Sequence, residues 1–215
     1  AQGIQAGVAS VNTILTNLLT FTRPVNPCLR PLDLHGVIEE ALSTALYALK
    51  ERQIDLIRLY HLGPIEVDGD RELLKQVLLN LILNAVQAMP SGGTLRISTR
   101  SPDGGSPVPI GGHTAADGQP IRCRHESGGM NGGEFIEVKV ADSGCGIGEA
   151  NLEKIFLPFF TTKPKGAGLG LAIVERILER HGARVSLESR VGKGTTFTIL
   201  LKSRYQDRAF AQRGI

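Results

Sequence analysis

The sequence contains no tryptophan, and aromatic residues make up only 5% of its 215 residues. Aliphatic side chains must therefore fill any core. With 41% apolar residues, the chain has enough of them to bury the core of one domain with an appendage, or of two small domains.

Cysteine is also scarce. Cys28, Cys123 and Cys145 lie far apart and form no CxxC pair, so neither a disulfide framework nor a cysteine zinc site is indicated. This usage is typical of a reducing compartment, and we expect the cytoplasm. No apolar run approaches the roughly 18 residues of a membrane helix, and no signal segment opens the chain. We expect no direct membrane contact from this segment, although a longer parent protein can carry an anchor.

An excess of one charge is missing as well. The chain has 24 basic and 21 acidic residues, for a formal net charge of +3. No compact basic stripe with interleaved aromatics accompanies this balance, so the sequence does not predict a nucleic-acid partner.

Apolar residues that recur at three and four positions predict helices over residues 4–22, 34–51 and 169–181. Asp33 and Gly182 are suited to cap the second and third of these helices. Helices segregated over a mostly antiparallel or mixed sheet predict an α+β two-layer sandwich. Loosely alternating or short apolar runs predict its strands at residues 54–60, 65–67, 94–100, 135–140, 185–188 and 195–201.

Proline, glycine and polar residues mark the boundaries. Prolines predict a linker over residues 23–32, ahead of a domain over 33–202. Within that domain, residues 101–133 are dense in Gly, Pro, Ser and Asp, which predicts a long flexible insert. Residues 203–215 are polar and predict a frayed tail.

A fourth predicted helix, capped by Asp70 and ending at Pro90, is apolar almost all round, which predicts burial. It also carries Gln76, Asn80 and Asn84 at steps of four, along one stripe. A buried amide without a partner costs roughly 1–3 kcal/mol. These amides therefore predict partners, either other protein groups or a bound ligand.

Five motifs follow in a fixed order. Asn80-Leu-Ile-Leu-Asn84-Ala resembles the N box of histidine-kinase-type ATP-binding domains, the GHKL or Bergerat family. The segment 142–148, Asp-Ser-Gly-Cys-Gly-Ile-Gly, resembles its G1 box. Ile-Phe-Leu-Pro-Phe-Phe-Thr-Thr-Lys at 155–163 resembles its F box, and Gly-Ala-Gly-Leu-Gly-Leu-Ala at 166–172 its G2 box. Gly-Lys-Gly-Thr-Thr-Phe at 192–197 is similar to the closing strand, so the resemblance covers roughly residues 28–202.

The resemblance implies a mixed sheet of about five strands, covered on one face by three helices and preceded here by the N-terminal helix. It also implies ATP and Mg²⁺ as ligands. Asn84 would give its side-chain oxygen to Mg²⁺, and Asn80 would face the phosphates. Many members carry an acidic residue at the position of Gln76. Glutamine cannot accept a proton, so Gln76 would position groups, or the base lies elsewhere.

Asp142 would accept a hydrogen bond from the adenine amino group, although a turn cap for the glycine loop is the alternative. Lys163 and Lys165 would pair with phosphate, unless they are solvated loop lysines. Phe156, together with Phe159 and Phe160, would anchor a mobile lid. The catalytic residues implied are Gln76, Asn80 and Lys163. The implied nucleotide site comprises Asn80, Asn84, Asp142, Gly144, Gly146, Ile147, Phe156, Lys163, Gly166, Gly168, Leu169, Gly170 and Thr195.

None of the five histidines suits a phosphoacceptor helix. Only His125 has an acidic neighbour, Glu126, and Ser-Gly-Gly follows at once. By resemblance, residues 4–22 match the second helix of a dimerisation and phosphotransfer hairpin, which implies a histidine kinase catalytic domain with a stalk remnant. The expected partners are that hairpin, a second copy in the full-length protein and a response-regulator receiver domain. A GHKL-type nucleotide-binding regulatory module and an anti-sigma-type serine kinase are the alternatives.

Overall fold

The computed structural model describes residues 25–101, 135–163 and 166–204, together with the backbone of residues 108–110 and 122–123. The predicted helix at 4–22, most of the 101–133 insert, Lys165 and residues 205–215 lie outside the described residues. These described residues form a seven-stranded sheet, a separate two-stranded pair and four helices.

The main sheet contains seven strands in the order β5-β2-β4-β7-β9-β8-β6. Strands β2 and β4 run parallel, and all other neighbours are antiparallel. Five strands are long and two are short. The bounds are β2 (Ile54–Tyr60), β4 (Gly93–Arg100), β5 (Val108–Ile110), β6 (Arg122–Cys123), β7 (Phe135–Asp142), β8 (Arg184–Arg190) and β9 (Gly194–Lys202).

Three long helices and one short helix complete the fold: α1 (Leu34–Glu51), α2 (Arg71–Ala88), α3 (Glu149–Leu152) and α4 (Gly170–Arg180). The cap predictions are confirmed at Asp33, whose carboxylate accepts from the N–H groups of His35 and Gly36, and at Asp70, which accepts from the N–H of Leu73. The alternate strand residues that face the helices are buried, which places the core between the two layers. The predicted α+β sandwich with a mixed sheet is therefore confirmed.

The predicted linker over residues 23–32 is too long. Residues 30–33 form strand β1 (Arg30–Asp33), which pairs antiparallel with β3 (Glu66–Gly69), and Val25 is buried in the core. The predicted tail over residues 203–215 also begins too early, because Ser203 is buried and forms an antiparallel β-bridge with Val67. Both segments are polar or proline-rich in sequence, and pairing with residues 66–69 makes residues 30–33 and Ser203 part of the fold.

The insert is not loop throughout. Strand β5 pairs with the outer edge of β2, and β6 pairs with the outer edge of β8, so the two short strands lie at opposite edges of the sheet. No helix in the described residues combines the length and apolar character needed to cross a bilayer.

His35, at the start of α1, stacks on Tyr60 with 4.8 Å between ring centroids, and its Nε2 lies 2.8 Å from Thr99 Oγ1. Burial lowers the pKa of His35 below its ordinary value. Nearby His61 lowers this pKa further, whereas the carboxylates of Asp33 and Glu39 raise it in part. As pH falls below about 6.5, the unfolded chain takes up this proton before the folded chain does. The free energy of unfolding should therefore fall as pH drops through this range.

We expect His35→Gln to flatten that dependence, because glutamine can reach Thr99 and does not titrate near neutral pH. Thermal unfolding between about pH 8 and pH 5 measures the effect. Comparing the Tm of the variant with that of the unaltered protein at about pH 8 isolates the packing cost of the substitution. Equal losses of Tm on acidification in both proteins would contradict the assignment.

Candidate functional site

Three polar residues stand side by side where the sheet meets the helices. Asp142 ends β7, and its register partner on β9 is Thr195, which in turn pairs with Ser189 on β8. They continue the rows of buried apolar residues on the helix-facing side of each strand, so the core changes from apolar to polar at this end of the sheet.

The Asp142 carboxylate is half-buried and only partly satisfied. Its Oδ1 accepts from the N–H of Gly144 at 2.8 Å and of Thr195 at 3.3 Å. Among the described residues, none donates to Oδ2. Burial raises the pKa of Asp142, against the lowering effect of those two hydrogen bonds and of Lys163. One carboxylate oxygen is therefore held in place while the other can accept from a ligand.

The loop after Asp142 requires two of its glycines for different reasons. Gly146 has φ +69°, and a Cβ there would lie 2.1 Å from the carbonyl oxygen of Arg190. Gly144 has no positive φ, but a Cβ would lie 2.6 Å from the carbonyl oxygen of Ala88. The loop thus packs its backbone against α2 on one side and the β8–β9 turn on the other. Ile147 is fixed by a 2.8 Å bond from its N–H to Ser189 Oγ.

The amide stripe of α2 lies on the side that is not packed in the core. Seven residues of α2 are buried, whereas Gln76, Asn80 and Asn84 are half-buried. The expectation of burial all round was therefore wrong, because the sheet and the other helices cover only part of α2. Asn80 Nδ2 donates to the carbonyl of Gly170 at 3.4 Å. Gln76 makes no hydrogen bond to any described residue, and its role stays a prediction.

Lys163 joins the F-box segment to the amide stripe. Its Nζ donates to Asn84 Oδ1 at 2.9 Å and to Gln87 Oε1 at 2.6 Å. Burial lowers the pKa of Lys163, against the opposite influence of Cys145 and Asp142. Two amide oxygens of α2 thus already hold a positive charge beside the carboxylate.

The three phenylalanines of the F-box segment differ. Phe156 and Phe160 pack against the core, whereas Phe159 is 63% exposed with φ +66°. The N–H of Phe159 donates to the carbonyl of Gly168 at 2.8 Å, and a Cβ on Gly168 would lie 2.4 Å from the carbonyl carbon of Phe159. A backbone hydrogen bond therefore joins the F-box and G2-box segments, at a point where the two backbones leave no space for a side chain on Gly168.

The G2 glycines lead directly into α4. The N–H of Gly166 bonds to the carbonyl of Lys163 at 3.1 Å, and Leu169 is fully buried at the cap position. Leu169 has no side-chain group to cap the first turn, which begins at Gly170. Exposed N–H groups at the positive end of a helix favour an anion there.

The structure thus brings together most of the residues implied by the resemblance. Ser189 and Gln87 also belong to this arrangement, and neither was predicted as a site residue from the sequence. Ser189 had a signal, since the predicted hairpin around residues 191–194 sets it opposite Thr195. Gln87 also had a signal, because it lies three residues after Asn84 and neighbours it on the surface of the same helix.

Residues 69–205 match the family described as "Histidine kinase-, DNA gyrase B-, and HSP90-like ATPase". The chain is 34% identical over 194 residues to the signal transduction histidine-protein kinase AtoS of Escherichia coli K12, covering 90% of this chain and 27% of AtoS. It is 33% identical over 191 residues to the sensor histidine kinase ZraS of the same strain, covering 89% of this chain and 35% of ZraS. The chain therefore spans about a quarter to a third of the length of these relatives.

Among solved structures, the catalytic domain of histidine kinase ThkA matches with a TM-score of 0.60 at 28% identity, covering 81% of this chain and 95% of that one. A complex of ThkA with the response regulator TrrA matches with a TM-score of 0.67 at 24% identity, covering 94% of this chain and 50% of that one, and adds support for the fold alone.

The chain belongs to the histidine kinase-, DNA gyrase B- and HSP90-like ATPase family. Its relatives and the ThkA match define it further as a catalytic domain of the sensor histidine kinase type.

Proposed function

We propose that this domain binds ATP with Mg²⁺ between α2, the 142–148 loop and the start of α4, and transfers the γ-phosphoryl group to a histidine on a separate helix. The observation that carries the proposal is the contact of the Lys163 ammonium with two amide oxygens of α2, within electrostatic reach of the half-buried Asp142 carboxylate. Groups suited to bind a cation and a base would thus lie in one site.

The adenine side of the proposed site is Asp142 with Thr195. Oδ2 of Asp142 would accept from the amino group of the base, which distinguishes adenine from guanine. The backbone of Ile147 is tied to this side of the site by the bond from its N–H to Ser189 Oγ, which also contacts Thr195 Oγ1. The backbone at Gly144 and Gly146 forms the wall, where a side chain would collide with neighbouring backbone.

The phosphate side is the loop of Gly166, Gly168 and Leu169 with the first turn of α4. Exposed N–H groups and the helix dipole suit a polyphosphate. Asn80 would face the phosphates, and Lys163 would exchange its amide partners for phosphate oxygens. The half-buried position of Lys163 strengthens such an interaction, because fewer waters compete for the ammonium.

Asn84 would hold Mg²⁺ through Oδ1. The residues fit the ion, since this oxygen already accepts from a cation and Mg²⁺ prefers oxygen ligands, few of them from protein. When bound, Mg²⁺ neutralises charge on the transferred phosphoryl group. Gln76 would position groups along the same stripe, because it cannot act as a base.

The phosphoacceptor would be a histidine of a dimerisation hairpin, and the next acceptor an aspartate of a response-regulator receiver domain. AtoS and ZraS are named histidine kinases, and ThkA has been solved with a response regulator. We further propose a homodimer in the full-length protein. A cytoplasmic location is supported by the free thiols of Cys28 and Cys145.

The test supplies a separate peptide with the phosphoacceptor helix of the intact protein, together with radiolabelled ATP and Mg²⁺. We expect label on its histidine that is acid-labile and base-stable, and none on a His→Gln peptide. ATP binding without any label would favour a non-catalytic nucleotide-binding module. Acid-stable, base-labile label on serine would favour an anti-sigma-type serine kinase.

A further inference from the structure

Ser189 lies at the centre of a small hydrogen-bond network behind the proposed base pocket. Its Oγ is 2.8 Å from the N–H of Ile147, 3.1 Å from the carbonyl oxygen of Gly194 and 2.9 Å from Thr195 Oγ1. Ser189 is 7% exposed and Thr195 is 5% exposed. Buried hydroxyls of this kind are normally satisfied by protein groups, because an unsatisfied one loses the hydrogen bonds that it made to water.

The chemistry of the three partners fixes the direction of each bond. The N–H of Ile147 can only donate, and the carbonyl of Gly194 can only accept. A serine hydroxyl has one proton and two lone pairs. Its proton must therefore go to Gly194, and the lone pair left over must accept the proton of Thr195. All three contacts can be made at once only in this arrangement.

Thr195 Oγ1 then has no proton to offer in any other direction. It retains lone pairs on the same face of the sheet as the Asp142 carboxylate, because Thr195 and Asp142 are register partners on β9 and β7. Any ligand group or water that reaches Thr195 Oγ1 must donate to it. Asp142 Oδ2 can also only accept while the carboxylate is ionised.

We infer that Ser189 is a positioning residue that makes the base pocket selective for a donor, the amino group of adenine, by locking the Thr195 hydroxyl as an acceptor. A base with a carbonyl oxygen at the same place would meet two acceptors and no donor. This inference rests on the proposed ATP site and assigns Ser189 no contact with the nucleotide.

The experiment measures the dissociation constants of ATP and of inosine triphosphate by calorimetry on the full chain. Inosine triphosphate carries a carbonyl oxygen in place of the adenine amino group. We expect Ser189→Ala to lower the preference for ATP by about five- to tenfold, the value of one hydrogen bond, because the freed Thr195 hydroxyl can turn and donate. Ser189→Thr keeps the hydroxyl and should keep the preference.

A double-mutant cycle separates positioning from general damage to the fold. In a Thr195→Val background there is no hydroxyl to lock, so Ser189→Ala should change the ATP-to-inosine ratio by less than about twofold. Thr195→Val alone leaves the other bonds of Ser189 in place, and it tests the same ratio if Ser189→Ala does not fold.

The outcomes distinguish this inference from the proposed function. If the unaltered chain bound neither nucleotide, the proposed ATP site itself would be refuted. An unaltered chain that prefers ATP, with a Ser189→Ala variant that loses affinity for both nucleotides equally, would overturn the role of Ser189 alone. An unchanged ratio in Thr195→Val would overturn it as well.

Discussion

Asp142→Asn should weaken ATP binding by at least about tenfold, and calorimetry on the full chain measures it. The carboxylate oxygen proposed to meet the base is Oδ2, to which no described residue donates a hydrogen bond. Hydrogen bonds to charged groups are worth about 1.5–3 kcal/mol, and about 1.4 kcal/mol corresponds to a factor of ten in affinity. Asparagine removes the charge and can present an amino group where the base needs an acceptor.

The same substitution should not destabilise the protein without nucleotide. Asparagine Oδ1 can still accept from the N–H groups of Gly144 and Thr195, while the cost of burying a charge disappears. Because burial raises the pKa of Asp142 in the fold, the folded state holds this proton up to a higher pH than the unfolded chain does. The free energy of unfolding of the unaltered protein thus falls as pH rises from the ordinary to the raised pKa. Above the raised pKa, the full cost of burying the ionised carboxylate is present.

Asp142→Asn should therefore match or exceed the Tm of the unaltered protein near pH 7, and it should lack this step in the pH profile. Unchanged ATP affinity would reject the proposed adenine contact. Unchanged affinity together with an undiminished Tm would instead favour Asp142 as a turn cap for the 142–148 loop, because asparagine keeps both bonds to Oδ1.

Features set by local sequence were predictable. Asp33 and Asp70 cap their helices through N–H groups two or three residues away, and Gly182 follows α4 with φ +62°. The long strands and helices follow from apolar periodicity, which the core then satisfies. These elements depend on neighbours in the chain, so a single sequence contains the required information.

Features set by distant partners were not predictable in the same way. Lys163 meets Asn84 across 79 positions of sequence, and strand β1 exists only because residues 66–69 lie beside it. The surroundings of the amide stripe on α2 were unpredictable for the same reason. Periodicity indicated an apolar helix, but the position of α2 in the helix layer decided which side remains open. The open side carries the amides, which therefore did not need internal partners for each group.

Asn84→Ala should abolish the Mg²⁺ dependence of ATP binding and reduce phosphoryl transfer by at least about a hundredfold. Asn84 Oδ1 is the proposed protein ligand of Mg²⁺, and charge neutralisation by a metal contributes several kcal/mol to such reactions. The same oxygen accepts from the Lys163 ammonium at 2.9 Å. If Asn84 held Mg²⁺, repulsion between the two cations would move the lysine ammonium away from Asn84, where it could meet a phosphate oxygen.

Gln87→Ala is the matched control for that experiment. Both side chains accept from the Lys163 ammonium, but only Asn84 is proposed as a ligand. Removing Gln87 loosens Lys163 to a similar extent and leaves the ligand oxygen in place. Titrations of ATP with and without Mg²⁺ should thus show metal-enhanced affinity in Gln87→Ala and none in Asn84→Ala, while metal-free affinities stay within a few-fold of each other. Equal metal enhancement in both variants would mean that Asn84 serves only to hold Lys163.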